Sequence, residues 1–388
     1  MIRYTAAVVL LLHGLIHTMG FLVAFRLAAL PLQLTPIWLQ PVYWTRPVGS
    51  LWLLAGFGFA TSAVMLLLSR TSWWLPGALA LPLSQLLILL AWQDAKAGTW
   101  LNVVLALPLA IGAAHTAFER ETRRAVAELH SGLPTVPSAP IQAEEVERLP
   151  QPVAHWLAAA GVVGRARTRS VWLQQSARLR TEPGGNWMPC SAEQHFRIDR
   201  PGFIWSVRAR MLGAIPIDGR DSYMNGHGRM LIKPLSLLTV VDAADARVDQ
   251  GTLLRYLGEL VWFPSGALEP YIQWEAVASN IARATMSYAG TTASATFEFA
   301  EDGRVMRVSA ERYMGSGSDA KLRPWTIPFR AWRKLDGVVV PVEGDVIWQL
   351  ESGPFAYYDF TLKALRYDSG QRQATDNQAP LPRLAQQL

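Results

Sequence analysis

Four apolar segments, each about the 20 residues that a helix needs to cross hydrocarbon, crowd the first 118 positions: Thr5 to Ala29, Val48 to Leu68, Trp73 to Trp92 and about Trp100 to Phe118. The linkers between them are short, so a chain of this pattern reads as a four-span α-helical membrane bundle. The first segment begins near an arginine, Arg3, but its apolar run is longer than the h-region of a signal peptide and no A-x-A-like site closes it, so it reads as a retained span. Trp38, Trp44, Trp52, Trp73, Trp74, Trp92 and Trp100 fall at or near the segment ends, where indole rings favour the headgroup layer. Pro76, Pro82 and Pro108 lie inside segments, which is tolerable where neighbouring helices satisfy the freed carbonyls.

Charge divides the chain the same way. Up to Phe118 there are only Arg3, Arg26, Arg46, Arg70, Asp94 and Lys96, and the rest of the sequence holds 31 basic against 29 acidic residues. The later part is therefore close to neutral with interleaved signs, which argues against phosphate-backbone binding and hence against a nucleic-acid partner. Arg3, Arg70, Arg120, Arg123 and Arg124 would share one side of a four-span bundle, against Arg46 and Lys96 on the other. That bias predicts both termini in the cytoplasm of a bacterial inner membrane. The single cysteine, Cys190, allows no internal disulfide and favours a reducing compartment.

After the fourth segment FERETRRAVAELH extends the helix, and SGLPTVPSAP has linker composition. EEVERLPQPVAHWLAAAG predicts a short helical region interrupted by Pro150 and Pro152 and closed by Gly161. From Ser170 the hydrophobic period changes to two. VWLQQSARLR, AEQHFRID, FIWSVRARML, YIQWEAV, ATMSYAG, ASATFEFA, RVMRVSAERY, VIWQL and YYDFTLKALRY read as strands, separated by turn signals EPGGN, DRPG, EDGR and LDGV. GRMLIKPLSLLTVVDA is apolar on both faces and reads as a covered strand or crossing segment. DQGTLLRYLGELVWFP is the clear helix here: Leu253, Leu254, Leu257, Leu260 and Val261 share a face, with Arg255 and Glu259 opposite at i, i+4 and Asp249 as its expected cap. The expected domains are a four-span region at 1–118, a juxtamembrane helix and Pro-rich linker at 119–140, an antiparallel β-rich domain at 141–368 and a disordered tail at 369–388. A curved antiparallel sheet with one covering helix encloses a concavity suited to an apolar ligand.

The order HGLIHTMG, PGFIW, GRD within IDGRDSYMNGHG, DQGTLLRYLGELVWFP, FAEDGRV and DGVVVPVEGDVIW resembles an uncharacterised family of bacterial multi-pass membrane proteins of unknown function, over most of the chain. The resemblance implies architecture and carries no established reaction or catalytic residues. The polar half is more loosely similar to the half-barrels of lipoprotein carriers such as LolA and LolB, which implies acyl chains held between a curved sheet and covering helices.

Candidate chemistry lies in two places. His13 and His17 sit on one face of the first span and His115 near the end of the fourth; three imidazoles suit a transition metal, a haem, a proton relay or a quinone contact. The alternative for them is structural, hydrogen bonding to Ser62, Ser84, Gln85 or Asn102 across the bundle. In the polar half Asp218, Arg220, Asp221, Tyr223, His227, Asp242, Asp249, Arg255, Glu259 and Trp262 gather around the predicted helix, as ligand contacts, as a general acid–base pair beside a histidine, as an Asp/His metal site, or as ion pairs and turn caps, the last being the usual role of such a cluster. GHG in YMNGHGRM reads as a turn. No HExxH, Walker loop, GxSxG or CxxC is present, Cys190 has no base beside it, and no cofactor is required. Two functions follow: a membrane-tethered binding module for a lipid or other apolar ligand, with membrane lipid as its surroundings, and a membrane enzyme or redox protein working through the histidines. The first is preferred.

Overall fold

The computed structural model describes residues 2–30, 42–134 and 138–368. Trp38 of the expected aromatic belt, three residues of the Pro-rich linker and the expected tail at 369–388 lie outside them. The chain forms two compact units, one built on residues up to Arg120 and the other on Glu121–Pro234 together with residues from Leu238 onward.

The first unit is helical: α1 Ile2–Ala24, α2 Val42–Leu67, α3 Trp74–Leu90, a single turn α4 Trp92–Ala95, and α5 Gly98–Leu129. Three of these, α1, α2 and α5, are long and apolar enough to cross a membrane. The third expected span is α3, a shorter apolar helix of 17 residues that rises about 26 Å at 1.5 Å per residue, against a hydrocarbon core of about 30 Å. Glycines bring α1 and α2 together. A Cβ added at Gly14 would lie 2.8 Å from the Gly56 carbonyl oxygen, and one added at Gly56 would lie 2.6 Å from the Gly14 oxygen, so the two backbones touch where any side chain would part them. Large apolar side chains face outward on all three long helices, among them Leu15, Phe57 and Val104, all exposed. The predicted extension of the last span is present, as α5 continues to Leu129 without a break.

The second unit opens with α6 Ala143–Glu147 and α7 Gln151–Ala160, the latter ended by Gly161 at φ +78°. Its strands are β1 Ser170–Leu179, β2 Met188–Arg197, β3 Gly202–Met211, β4 Ile215–Met224, β5 His227–Pro234, β6 Val241–Ala243, β7 Ile272–Ala278, β8 Ile281–Tyr288, β9 Thr291–Phe299, β10 Val305–Met314, β11 Lys321–Leu335, β12 Val338–Leu350 and β13 Gly353–Tyr367. They form one antiparallel open, curved sheet in the order β6-β5-β4-β3-β2-β1-β13-β12-β11-β10-β9-β8-β7. It is two meanders joined where β1 pairs with β13, Val171 opposite Tyr367. Between them the chain leaves the sheet as α8 Ala246–Gly258, followed by 3-10 turns at Glu259–Trp262 and Pro264–Leu268.

All the expected strands are found, and three further stretches are strands as well. IPIDGRDSYM forms β4, KLRPWTIPFRAWRKL forms β11, and GRMLIKPLSLLTVVDA divides into β5 and the short edge strand β6. The turn expected at GHG lies one step earlier: Asn225 and Gly226, at φ +54° and +90°, make the two-residue link between β4 and β5, and His227 and Gly228 already belong to β5. The core of this unit lies between the sheet and the inserted segment, where Leu253, Leu254, Tyr256, Leu257 and Leu260 of α8 and its extension are fully buried.

Candidate ligand cavity and the histidine pair

α8 begins one turn before the expected cap. Asp245, not Asp249, accepts the backbone N–H groups of Arg247 and Val248 at 2.8 and 3.1 Å. Asp249 instead accepts from the Gly228 backbone N–H at 2.6 Å and sits 3.6 Å from the His227 ring, fastening α8 to β5. The leucine face of α8 is buried, and its other side borders a cavity of about 280 Å³ beneath the sheet.

The cavity is mostly aromatic and aliphatic, with Trp205, Trp262, Trp325, Trp348 and Phe360 among its walls. Its polar groups are held by specific bonds. Arg255 donates from Nη1 to Asp221 at 2.7 Å and from Nε to Glu259 at 2.9 Å, and its guanidinium lies 4.7 Å from the Trp205 ring. Gln194 donates to the other Glu259 oxygen at 2.7 Å. Burial pushes the Glu259 carboxyl above its ordinary range against the pull of Arg255; burial would lower the Arg255 guanidinium, but Glu259 and Asp221 outweigh it and hold the charge. The Trp325 indole donates to Tyr357 at 3.2 Å, the Trp262 indole to the Pro341 carbonyl at 3.1 Å, and Tyr358 to Gln175 at 2.9 Å. This arrangement can hold an apolar body and orient a polar end.

The expected polar cluster is divided by the period of β4. Asp221 lies against α8 and joins Arg255, Glu259 and Trp262 at the cavity, and Tyr223, on the same face, is fully buried. Asp218 and Arg220 point the other way: Asp218 lies 3.6 Å from Arg208, and Arg220 donates to Thr122 at 3.2 Å. Asp242 pairs with Arg229 at 2.7 Å on exposed surface. Cys190 is buried, and burial pushes its thiol up to about 12, outside nucleophilic range. Sequence reasoning missed Gln175, Arg312, Trp325, Trp348 and Tyr358. Their signal was the alternation of the strands on which they sit, which assigns them to the face that carries the core.

In the helical unit His13 and His17 are buried with their rings 4.6 Å apart. His17 donates from Nδ1 to the His13 carbonyl at 2.8 Å, leaving Nε2 facing the Ser84 hydroxyl at 2.8 Å. His13 donates from Nε2 to Asn102 at 2.9 Å, and Asn102 also accepts from Ser84 at 3.1 Å and donates to Gln85 at 3.0 Å. His115 lies 3.0 Å from Glu119, four residues along its own helix, and no group of three or more His, Cys, Asp or Glu among the described residues is placed to hold a metal ion.

Solved structures similar to the chain include a DUF1329 family protein from Desulfovibrio piger, with 10% identity over 61% of this chain and 97% of that one and a TM-score of 0.34. A putative outer membrane lipoprotein-sorting protein domain from Vibrio parahaemolyticus shows 9% identity over 61% of this chain and 98% of that one, with a TM-score of 0.35. A β-barrel-like protein of the DUF1849 family from Brucella abortus shows 9% identity over 52% and 98%, with a TM-score of 0.23. No curated protein compared with the sequence matches it. The match that covers most of the second unit is to a family of unknown function, DUF6544, over residues 139–360, and the chain belongs to that family.

Proposed function

We propose that this chain is a membrane-tethered module that binds a lipid or other apolar ligand in the cavity beneath α8. The cavity itself carries the reading: a partly open space of about 280 Å³ walled by tryptophans and aliphatic side chains, with a few oriented polar groups, has the character of a small-molecule site. Tethering is supported by the outward-facing leucines, valines and phenylalanines of α1, α2 and α5, because exposed apolar surface on that scale is costly in water. The arginine bias supports termini in the cytoplasm of a bacterial inner membrane.

The test is mass spectrometry of molecules extracted from the purified full-length chain and from Gly251→Leu. Gly251 lines the cavity from within α8, and an added Cβ meets nothing nearer than the Arg312 side chain at 3.7 Å, so leucine there fills the space while improving helix propensity. A stoichiometric apolar molecule present in the native chain and lost from the variant is the expected result. Identical extracts from both proteins would overturn the reading.

A further inference from the structure

Five ionisable side chains reach the cavity wall: Arg247, Arg255 and Arg312 against Asp221 and Glu259. Both carboxylates are engaged by Arg255, at 2.7 and 2.9 Å. Arg247 is turned to the carbonyls of Gly317 and Ala320. Arg312 is different. Its Nε donates to the Gly251 carbonyl at 3.2 Å, and its guanidinium lies over Trp325 and Trp348 at 5.1 and 5.6 Å. Among the described residues its two terminal nitrogens make no ion pair and no other hydrogen bond; the carboxylate that feels its charge, Glu259, is already held by Arg255 and Gln194.

A planar guanidinium fixed at one edge by a backbone carbonyl and on its faces by indoles presents the remaining N–H groups in one direction. That fork matches the paired oxygens of a carboxylate or phosphate, and a half-buried cation in apolar surroundings gains most from a partner of opposite charge. Around it the wall is tryptophan, isoleucine and phenylalanine, which suits hydrocarbon. The volume of about 280 Å³ lies just under the ~300–1,000 Å³ of typical small-molecule sites, enough for one chain and not for a bundle of them.

We propose that the cavity takes a single-chain lipid with an anionic head, the head held by Arg312 and the acyl chain laid between Trp325, Trp348, Ile327 and Phe360. This deepens, and rests on, the proposed apolar-ligand role of the cavity. The test uses the full-length chain in phosphatidylcholine nanodiscs, labelled with a diazirine analogue of stearate, with the labelled peptides located by mass spectrometry. Oleate, lysophosphatidate and the uncharged oleyl alcohol then compete for the label.

The expected result is label on the peptides around Arg312 and Trp325, displaced by oleate or lysophosphatidate at concentrations at least tenfold below those of oleyl alcohol. Arg312→Gln should close that gap and Arg312→Lys should keep part of it. Unchanged competition by oleyl alcohol in Arg312→Gln shows that the variant cavity is intact. Preference for lysophosphatidate over oleate would assign the head to a phosphate-bearing lipid, and the reverse to a free carboxylate; either supports the proposal. If oleyl alcohol competes equally in the native protein, or the gap survives in Arg312→Gln, the anionic head is wrong while the apolar site stands. If no saturable label reaches the cavity, the apolar-site reading itself fails.

Discussion

Arg255 on α8 and Asp221 on β4 meet at 2.7 Å across 34 positions of sequence, and the same guanidinium holds Glu259 at 2.9 Å. The side chains are largely buried, so the pairing fixes the covering helix to the sheet through charges that have little water to fall back on. Arg255→Met leaves two carboxylates without their cation and should destabilise the fold by about 3–5 kcal/mol. Adding Glu259→Gln to that variant should recover part of the loss, because a neutral amide can still accept from Gln194. Thermal melting of the full-length chain in detergent reads both effects; equal melting of native and Arg255→Met protein would show the pairing to be energetically idle.

In the helical unit Asn102 is the residue through which the histidines are joined, bonded to His13, Ser84 and Gln85. Asn102→Leu keeps volume and removes all three bonds, leaving His13, whose Nδ1 already lacks a partner among the described residues, with no bond at either ring nitrogen. The expected cost is about 1–3 kcal/mol, at the upper end of interhelical polar bonds in bilayers. Controlled unfolding in mixed micelles measures it, and His13→Leu combined with Asn102→Leu should cost less than the sum of the two single changes.

His130 gives the second unit a pH dependence. Burial first, then the neighbouring His195 with its ring 5.6 Å away, and then Arg197, lower the His130 imidazole to about 4. A folded value below the unfolded one means that the stabilisation is complete above about pH 6.5 and is lost as pH falls toward 4. The loss should be on the order of 2–3 kcal/mol across that window. His130→Phe should flatten the melting temperature between pH 7 and 4.5, and an unchanged slope would remove His130 from the account.

Two turn glycines separate backbone strain from steric clash. Gly226 and Gly290 both sit at positive φ, +90° and +82°. An added Cβ at Gly226 would lie 2.4 Å from the Cβ of Ala289, whereas one at Gly290 meets nothing within 4 Å. Gly290→Ala should therefore cost about 1 kcal/mol, the left-handed penalty alone, and Gly226→Ala about 2–3 kcal/mol. Chemical denaturation that found the two equal would discount the contact at Ala289.

Much of this was legible in the sequence because the signals were local. Period-two alternation marked nine of the strands, and the Leu253 to Val261 face marked α8. The helix start was misread because Asp245 and Asp249 are both good caps one turn apart, and only the Gly228 backbone decides between them. β4 was hidden by its polar residues, since Asp218, Arg220 and Asp221 look like a site before the fold shows that they face opposite ways. The concavity and four of its lining residues, Asp221, Arg255, Glu259 and Trp262, were legible, but Arg312 was not: it lies 57 positions from Arg255, and only the fold shows which of the two is ion-paired. The same limit applies to His115, whose partner Glu119 lies one turn along its own helix.

The pairing of β1 with β13 also sets an order of events. Those strands lie side by side near the middle of the sheet, yet Val171 and its partner Tyr367 are separated by almost the whole of the second unit. Each flanking meander can zip from its own hairpins as it is made, but the seam that joins them must wait for the final strand, and closing so long a loop is slow. During synthesis on the ribosome the unit therefore exists for a time as two half-sheets with an open edge on each, β1 on one and β12 on the other. Chaperones that shield strand edges have their longest opportunity in that interval, and a chain cut short before Gly353 would keep both edges exposed.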